Sequence, residues 1–275
     1  MLSDDIWIER LDEQLAKHIQ KACEPPHYDI DSVEQDRHLY AFVRRVSAVE
    51  KSNYEGMDEL LAVVALSRLI HPTSIGDRYC AKVFHFGLKD SAICAIQYRG
   101  ISPDAILSGN HRDWLSVEDA ENLRRLMPWS SKDKRMHDRV HRAYWNHEYA
   151  VRSLYLDMRW ILVVCGLEAL VSVGEKELRK QFCDRGGQLA GVCGIDLTDA
   201  DLRCAYKLRS KLVHAESFLH GLEAVLPKSQ HGQLYEKLES LLRDTVRRCL
   251  LDENFGSFFR DDAAVEARWP LNPKP

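Results

Sequence analysis

From Met136 onward, apolar or aromatic positions recur at Met136, Val140, Tyr144, His147, Val151, Leu154, Met158, Ile161 and Cys165, in alternating steps of three and four, and no proline or glycine interrupts the run before Gly166. This is a heptad-like helical seam. Unbroken, it makes a helix of about 35–40 residues, roughly 55 Å long, and a single kink would divide it. So long an apolar stripe is stable in water only with partner helices along it. The following sequence supplies them. Ser130 and Ser131 read as caps before the seam and Gly174 as its end. Glu175 to Ala190 reads as a helix with Leu178, Phe182 and Leu189 inward. Thr198-Asp199-Ala200-Asp201 has the form of a capping box opening another helix. Leu234, Leu238, Leu241, Leu242, Val246 and Leu250 give a last amphipathic helix. Short connections make an antiparallel helical bundle over 131–255 the expected packing. The segment 256–275 reads as a C-terminal tail, loosely held from Ala263 because of its prolines.

Residues 1–130 read as a mostly helical region with a short strand pair. Ser3 with Asp4 and Asp5 resembles a helix start, followed by Ile8, Leu11, Leu15 and Ile19 at helical spacing and stopped at Pro25-Pro26. A second helix is expected from about Ser32 to Lys51, burying Leu39, Phe42, Val43 and Val46, and a third from Met57 to Ile70. Tyr79–Phe86 and Ile93–Tyr98 are aromatic and β-branched around Gly87-Leu88-Lys89-Asp90, which predicts a hairpin. Ile101 to Leu115 reads as a loop, and Ser116-Val117-Glu118-Asp119 as a capping box. The expected fold class is mainly α, an antiparallel helical bundle preceded by a helical N-terminal region with a small β-hairpin.

Composition narrows the functional classes. Among 275 residues, a net charge of −4 does not suit a general polyanion binder, so nucleic-acid contact requires a local basic patch. Eight cysteines without a C-x-x-C pair read as buried free thiols of a reducing, cytoplasmic setting. The N-terminus lacks an apolar signal core, and the longest apolar runs fall short of the ~20 residues that span a bilayer. His71, His85 and His111 have no ligand spacing. His137 and His141 share a helix face but lack an evident third ligand. No phosphate-binding glycine loop is present, and the sequence gives no reason to expect a metal or any other cofactor.

One stretch stands out chemically. Ala205 to His214 carries Lys207, Arg209, Lys211 and His214 without an acid. An arginine fork suits a phosphate, and a histidine can move a proton near neutral pH. Five residues on a helix rotate by about 500°, leaving the Arg209 and His214 side chains ~140° apart. Convergence therefore requires a loosened helix at His214 or a cleft shared by two copies. Ser210 could orient either group. Glu168, in an apolar stretch, could orient Arg209 or act as a buried ion-pair partner, and Arg159 and Arg185 read as packing and ion-pair residues.

Arg159-Trp160, Leu167-Glu168-Ala169-Leu170, Phe182-x-x-Arg185 and Tyr206-x-x-Arg209-Ser210-x-x-Val213-His214, in that order, resemble the ApeA-like branch of the HEPN superfamily over about residues 132–255. The resemblance implies an all-helical bundle that pairs as a homodimer. In active members it implies a metal-independent endoribonuclease used in toxin–antitoxin, anti-phage and other RNA-cutting systems. It assigns the catalytic arginine and histidine roles to Arg209 and His214. By their own chemistry Ser210 and Glu168 are candidates for support, and Lys207 and Lys211 are candidate RNA contacts or plain solvated lysines. Ser210 departs from the larger polar residue that many active relatives carry after the arginine, and Ala215 from the glycine common after the histidine. The expected partners are RNA, a second copy and an antitoxin or other regulatory protein, with no membrane. A non-catalytic HEPN module that binds RNA, a nucleotide or a protein is the alternative.

Overall fold

The seam that begins at Met136 forms two helices, α3 (Asp138–Arg152) and α4 (Leu156–Val171). Ser153 and Tyr155 adopt extended backbone conformations between them. The break is held by its own residues: Arg159 Nε donates to the Ser153 carbonyl at 2.7 Å, and Tyr155 N donates to Ser153 Oγ at 3.3 Å. A serine side chain that competes for backbone groups is a physical reason for a helix to part there. The two halves of the seam then have different fates. Val140, Tyr144, His147 and Val151 are buried on α3, whereas Met158 is exposed and Ile161 and Cys165 are half-buried on α4. Trp160, Val163, Val164, Leu167, Leu170 and Val171 fill the core in their place.

The computed structural model describes residues 1–15, 17, 40–45, 57–70, 79–86, 90–98, 116–130, 134–153, 155–213, 226–227 and 230–273, with backbone alone for 40 and the strands over 79–98. The chain divides into two compact units, Met1–Asp104 with Asp113–Ser131, and Lys132–Pro275 with Ala105–Arg112.

In the first unit, β1 (Ile6–Arg10) pairs antiparallel with β2 (Tyr40–Arg44) in the register Ile6↔Arg44 to Arg10↔Tyr40. Helices were expected at both places. Ile-Trp-Ile and Tyr-Ala-Phe-Val fit a period of two as well as a helical one, and the partner that decides lies some thirty residues away. Helical backbone starts only at residues 13 to 15, where Asp12 Oδ1 accepts from Gln14 N at 2.9 Å and Leu15 N at 3.2 Å. Most of the expected helix from Ser32 to Lys51, and the loop read over Ile101 to Leu115, lie outside the described residues. The predicted hairpin is present as β3 (Tyr79–Phe86) and β4 (Asp90–Tyr98), antiparallel with an irregularity between Cys80 and Ala81. Helix α1 (Met57–Ile70) packs against α2 (Val117–Leu126) and the 3-10 turn Met127–Ser130, burying Val63, Leu66, Leu69, Leu123, Leu126 and Met127. The Ser116 capping box is complete: Asp119 N donates to Ser116 Oγ at 3.1 Å and Ser116 N to Asp119 Oδ2 at 2.9 Å.

The second unit is a helical bundle. Helices α5 (Leu178–Cys193), α6 (Asp199–Val213) and α7 (His231–Leu251) pack with α3 and α4. Helix α6 opens on the expected reciprocal cap, Asp201 N to Thr198 Oγ1 at 3.1 Å and Thr198 N to Asp201 Oδ2 at 2.9 Å. The cap of α3 is His137, without a side-chain hydrogen bond, and Ser130 bonds the Met127 carbonyl instead. At Gly166 an added Cβ would stand 2.7 Å from Leu242 Cδ2 and 3.2 Å from Asn146 Cβ, so α4 approaches α7 and α3 closely there.

The described residues after 255, up to 273, are tied to the bundle rather than loose. Beyond α8 (Glu253–Ser257), α9 (Asp262–Arg268) buries Val265, and the chain then buries Trp269 against Phe258 and Phe259. Side chains of α5 hold the carbonyls that follow: Arg185 Nε to Trp269 at 2.9 Å, Gln188 to Pro270 at 2.8 Å and Lys180 to Asn272 at 2.8 Å. Prolines cannot donate, yet they fix an extended chain whose carbonyls accept. No helix of the described residues is long and apolar enough to cross a membrane.

Candidate functional site

Helix α6 buries Leu202, Ala205 and Leu208 and leaves its other face to polar residues. Arg209 follows Leu208 and leans back onto α4. Its Nη2 lies 3.0 Å from Glu168 Oε2, and the Cys165 thiol is close enough to the guanidinium to influence its charge. Cys165 and Glu168 are three apart on α4 and so share a face. The Arg209 side chain keeps 29% of its surface exposed and that of Glu168 13%. The Nε of Arg209 is buried and has no hydrogen-bond partner.

The electrostatics follow from partial burial. Desolvation pushes the Glu168 carboxyl above its ordinary value, and the Arg209 charge only partly offsets this. For Arg209, burial alone would favour the neutral form; the Cys165 thiol and the Glu168 charge outweigh it and hold the guanidinium even more firmly charged. The Cys165 thiol is itself pushed up by burial, against the lowering effect of Arg209, and is not a ready thiolate. The result is a fixed cation, held by one carboxylate and still exposed over 29% of its side chain.

The other expected residues distribute around it. Ser210 is half-buried, Lys207 is exposed, and Lys211 is half-buried. Tyr206 packs its ring against Phe182 at 5.5 Å between centroids. His214 lies one residue past Val213 and outside the described residues, so the helix is described up to the residue before the histidine. His71 and His111 also lie outside the described residues. Arg159 and Arg185 are buried, the first on the break before α4 and the second under the C-terminal segment. His137 and His141 are exposed, and His141 accepts a hydrogen bond from Trp145 at 2.9 Å. Among the described residues no group of three His, Cys, Asp or Glu side chains is placed to hold a metal ion. Cys165, Cys183, Cys193, Cys204 and Cys249 are free thiols.

The sequence reading passed over two polar features. Cys165 was counted as a seam residue, although its spacing from Glu168 carried the signal. The larger omission is a buried network between α3 and α7. His147 Nε2 lies 2.9 Å from Glu239 Oε1, with Arg243 Nε at 3.6 Å from the same oxygen, and Glu148 is paired with Arg152 at 2.6 Å. Burial alone would raise the Glu239 carboxyl, but the His147 hydrogen bond and the Arg243 charge prevail and hold it below the usual carboxylate range.

Comparison with family models, with curated proteins and with solved structures found no match.

Proposed function

We propose that the chain is a metal-independent endoribonuclease of the HEPN type, cleaving single-stranded RNA in a toxin or anti-phage system. The observation that carries the reading is Arg209: a guanidinium fixed by Glu168 beside Cys165, still partly open to solvent, five residues before a titratable histidine. RNA carries its own nucleophile in the 2′-hydroxyl. His214 would remove that proton or deliver one to the leaving 5′-oxygen, and Arg209 would hold the phosphate and stabilise the extra charge in the transition state. Ser210 would orient one of the two, Glu168 would position Arg209, and Lys207 and Lys211 would contact neighbouring phosphates. The products are a 2′,3′-cyclic phosphate, or its opened form, and a 5′-hydroxyl.

The test is incubation of the pure protein with mixed RNA in EDTA, followed by analysis of the new ends. Arg209→Ala and His214→Ala are each expected to abolish cutting while circular dichroism stays helical. Cutting that survives either change, or that requires a divalent metal, overturns the mechanism. One observation favours the second reading, a non-catalytic HEPN module binding RNA, a nucleotide or a protein: Glu168 already occupies one arm of the Arg209 fork. In that case both variants lose binding and the wild type cuts nothing.

A further inference from the structure

Helix α3 buries one side in the bundle and exposes an ordered row of rings on the other. His141, Trp145 and Tyr149 follow one another at i, i+4 and i+8. Trp145 stacks on Tyr149 with centroids 5.7 Å apart and planes 29° from parallel. Its indole N–H donates to His141 Nε2 at 2.9 Å, and Tyr144 meets it edge-on at 5.3 Å. Although held from several sides, Trp145 is 40% exposed and Tyr149 56% exposed. An indole ordinarily buries its area or stays free to turn; this one is fixed and left open, which lowers the entropy cost of whatever stacks on it.

Two arginines stand beside the rings. Arg142 precedes Trp145 by three positions and Arg152 follows Tyr149 by three, so both lie on the same face, about 15 Å apart along the axis. Arg142 is exposed, and Arg152 is held by Glu148, whose carboxylate is buried and faces away from solvent. Arg139 is drawn off to Asp262, and Asp138, in the first turn, is the exposed acid of the helix. At the level of the rings Arg142 is an exposed cation, and the Arg152 guanidinium, 28% exposed, is offset by its Glu148 partner. Planar rings in a row flanked by guanidinium groups match a ligand made of flat bases on a phosphate chain. A base pair hides its faces in the duplex stack, so the matching form is single-stranded.

We propose that the exposed face of α3, formed by Arg142, Trp145, Tyr149 and Arg152, binds single-stranded nucleic acid by stacking bases on the two rings. The proposal rests on α3 alone and stands whether or not Arg209 takes part in cleavage. Because the rings read π faces rather than base edges, pyrimidine strands of RNA and DNA both bind, and sequence preference is weak.

The test uses the full chain and fluorescence anisotropy with labelled oligodeoxyuridylate, which lacks the 2′-hydroxyl and cannot be cut by the proposed route. Oligouridylate in EDTA and a DNA duplex are run beside it. The wild type is expected to bind both single strands and to bind the duplex at least tenfold more weakly. The double variant Trp145→Ala, Tyr149→Ala is expected to lose roughly ten- to a hundredfold in affinity, while Trp145→Phe, which keeps a ring, retains most of it. Oligodeoxyuridylate cannot be cut, so its loss in the double variant is read apart from the cleavage reading, and Gln233→Ala, at an exposed position of α7, is the control that keeps wild-type affinity. If the double alanine variant loses its helical signal, Arg142→Glu carries the test with an expected loss of about fivefold at low salt. Unchanged affinity in the folded variants, no binding by the wild type, or duplex binding as tight as single-strand binding overturns the proposal. So does a double variant that only converts a dimer to a monomer, because the face would then be a contact between copies.

Discussion

Single side chains with opposed electrostatic situations govern the second unit. Glu239 is held below the usual carboxylate range because His147 and Arg243 outweigh its burial. A depressed folded-state value means that this group's stabilisation is present above its unfolded value and is lost as pH falls through the folded one. Thermal unfolding followed from pH 7 downward is therefore expected to show a steep loss below about pH 4.3, the ordinary glutamate value. Glu239→Gln should start lower and show a shallower acid limb. An acid limb identical in the two proteins would mean that the His147 pair contributes nothing to acid sensitivity. Glu168 has the opposite sign: its carboxyl is pushed up by burial, and the Arg209 charge works against that rise. Glu168→Ala leaves a partly buried guanidinium without its carboxylate and is expected to cost about 1–3 kcal/mol in denaturant unfolding. Glu168→Gln, which can still accept from Arg209, should cost less than half as much.

At the level of elements, Gly166 gives a sharp expectation. A methyl there would meet the two methyl groups of Leu242 at 2.7 and 3.0 Å, inside the bundle core. Gly166→Ala should destabilise the protein by about 1–3 kcal/mol despite the better helix propensity of alanine. A rise in melting temperature would show that Leu242 moves aside freely. How far such elements were legible in the sequence depended on whether their determinants were local. The capping boxes at Ser116 and Thr198 could be read because a cap is made within four residues. The inward leucines of α7 could be read because one helix repeats its pattern for 21 residues. The strands β1 and β2 could not, because their partners are distant and five residues fit either period. The break at Ser153 was masked by a seam that continues in phase across it, and only the core residues of α4, Trp160 to Val171, show that the buried face has changed. At the candidate site the sequence supplied Arg209 and Glu168 as residues. Glu168 was read as able to orient Arg209 or as an ion-pair partner, and the 3.0 Å contact that joins them is made by α4 packing against α6, a tertiary determinant.

For the whole molecule, the HEPN reading predicts a homodimer around the helices that carry Arg209 and His214, and light scattering that finds only monomer in concentrated solution would count against it. The C-terminal segment makes a second expectation, independent of that reading. Trp269 is 2% exposed, and its carbonyl takes the Nε of Arg185, itself 2% exposed. Another donor of the same guanidinium, Nη1, bonds the Val171 carbonyl at the end of α4 at 2.9 Å. Arg185 thus joins the end of α4 to the returning chain, and the segment works as a strap over α5. Without it, Phe258, Phe259 and the Arg185 guanidinium lose their cover together, and the charge is left beside carbonyls that satisfy only part of its fork. Trp269→Ala is expected to cost about 3–5 kcal/mol, a large share of the 5–15 kcal/mol that usually separates folded from unfolded domains. Truncation after Arg260 should cost at least as much and raise protease sensitivity along α5. If the truncated chain melts at the temperature of the full one, the strap is bystander chain and the bundle is complete without it.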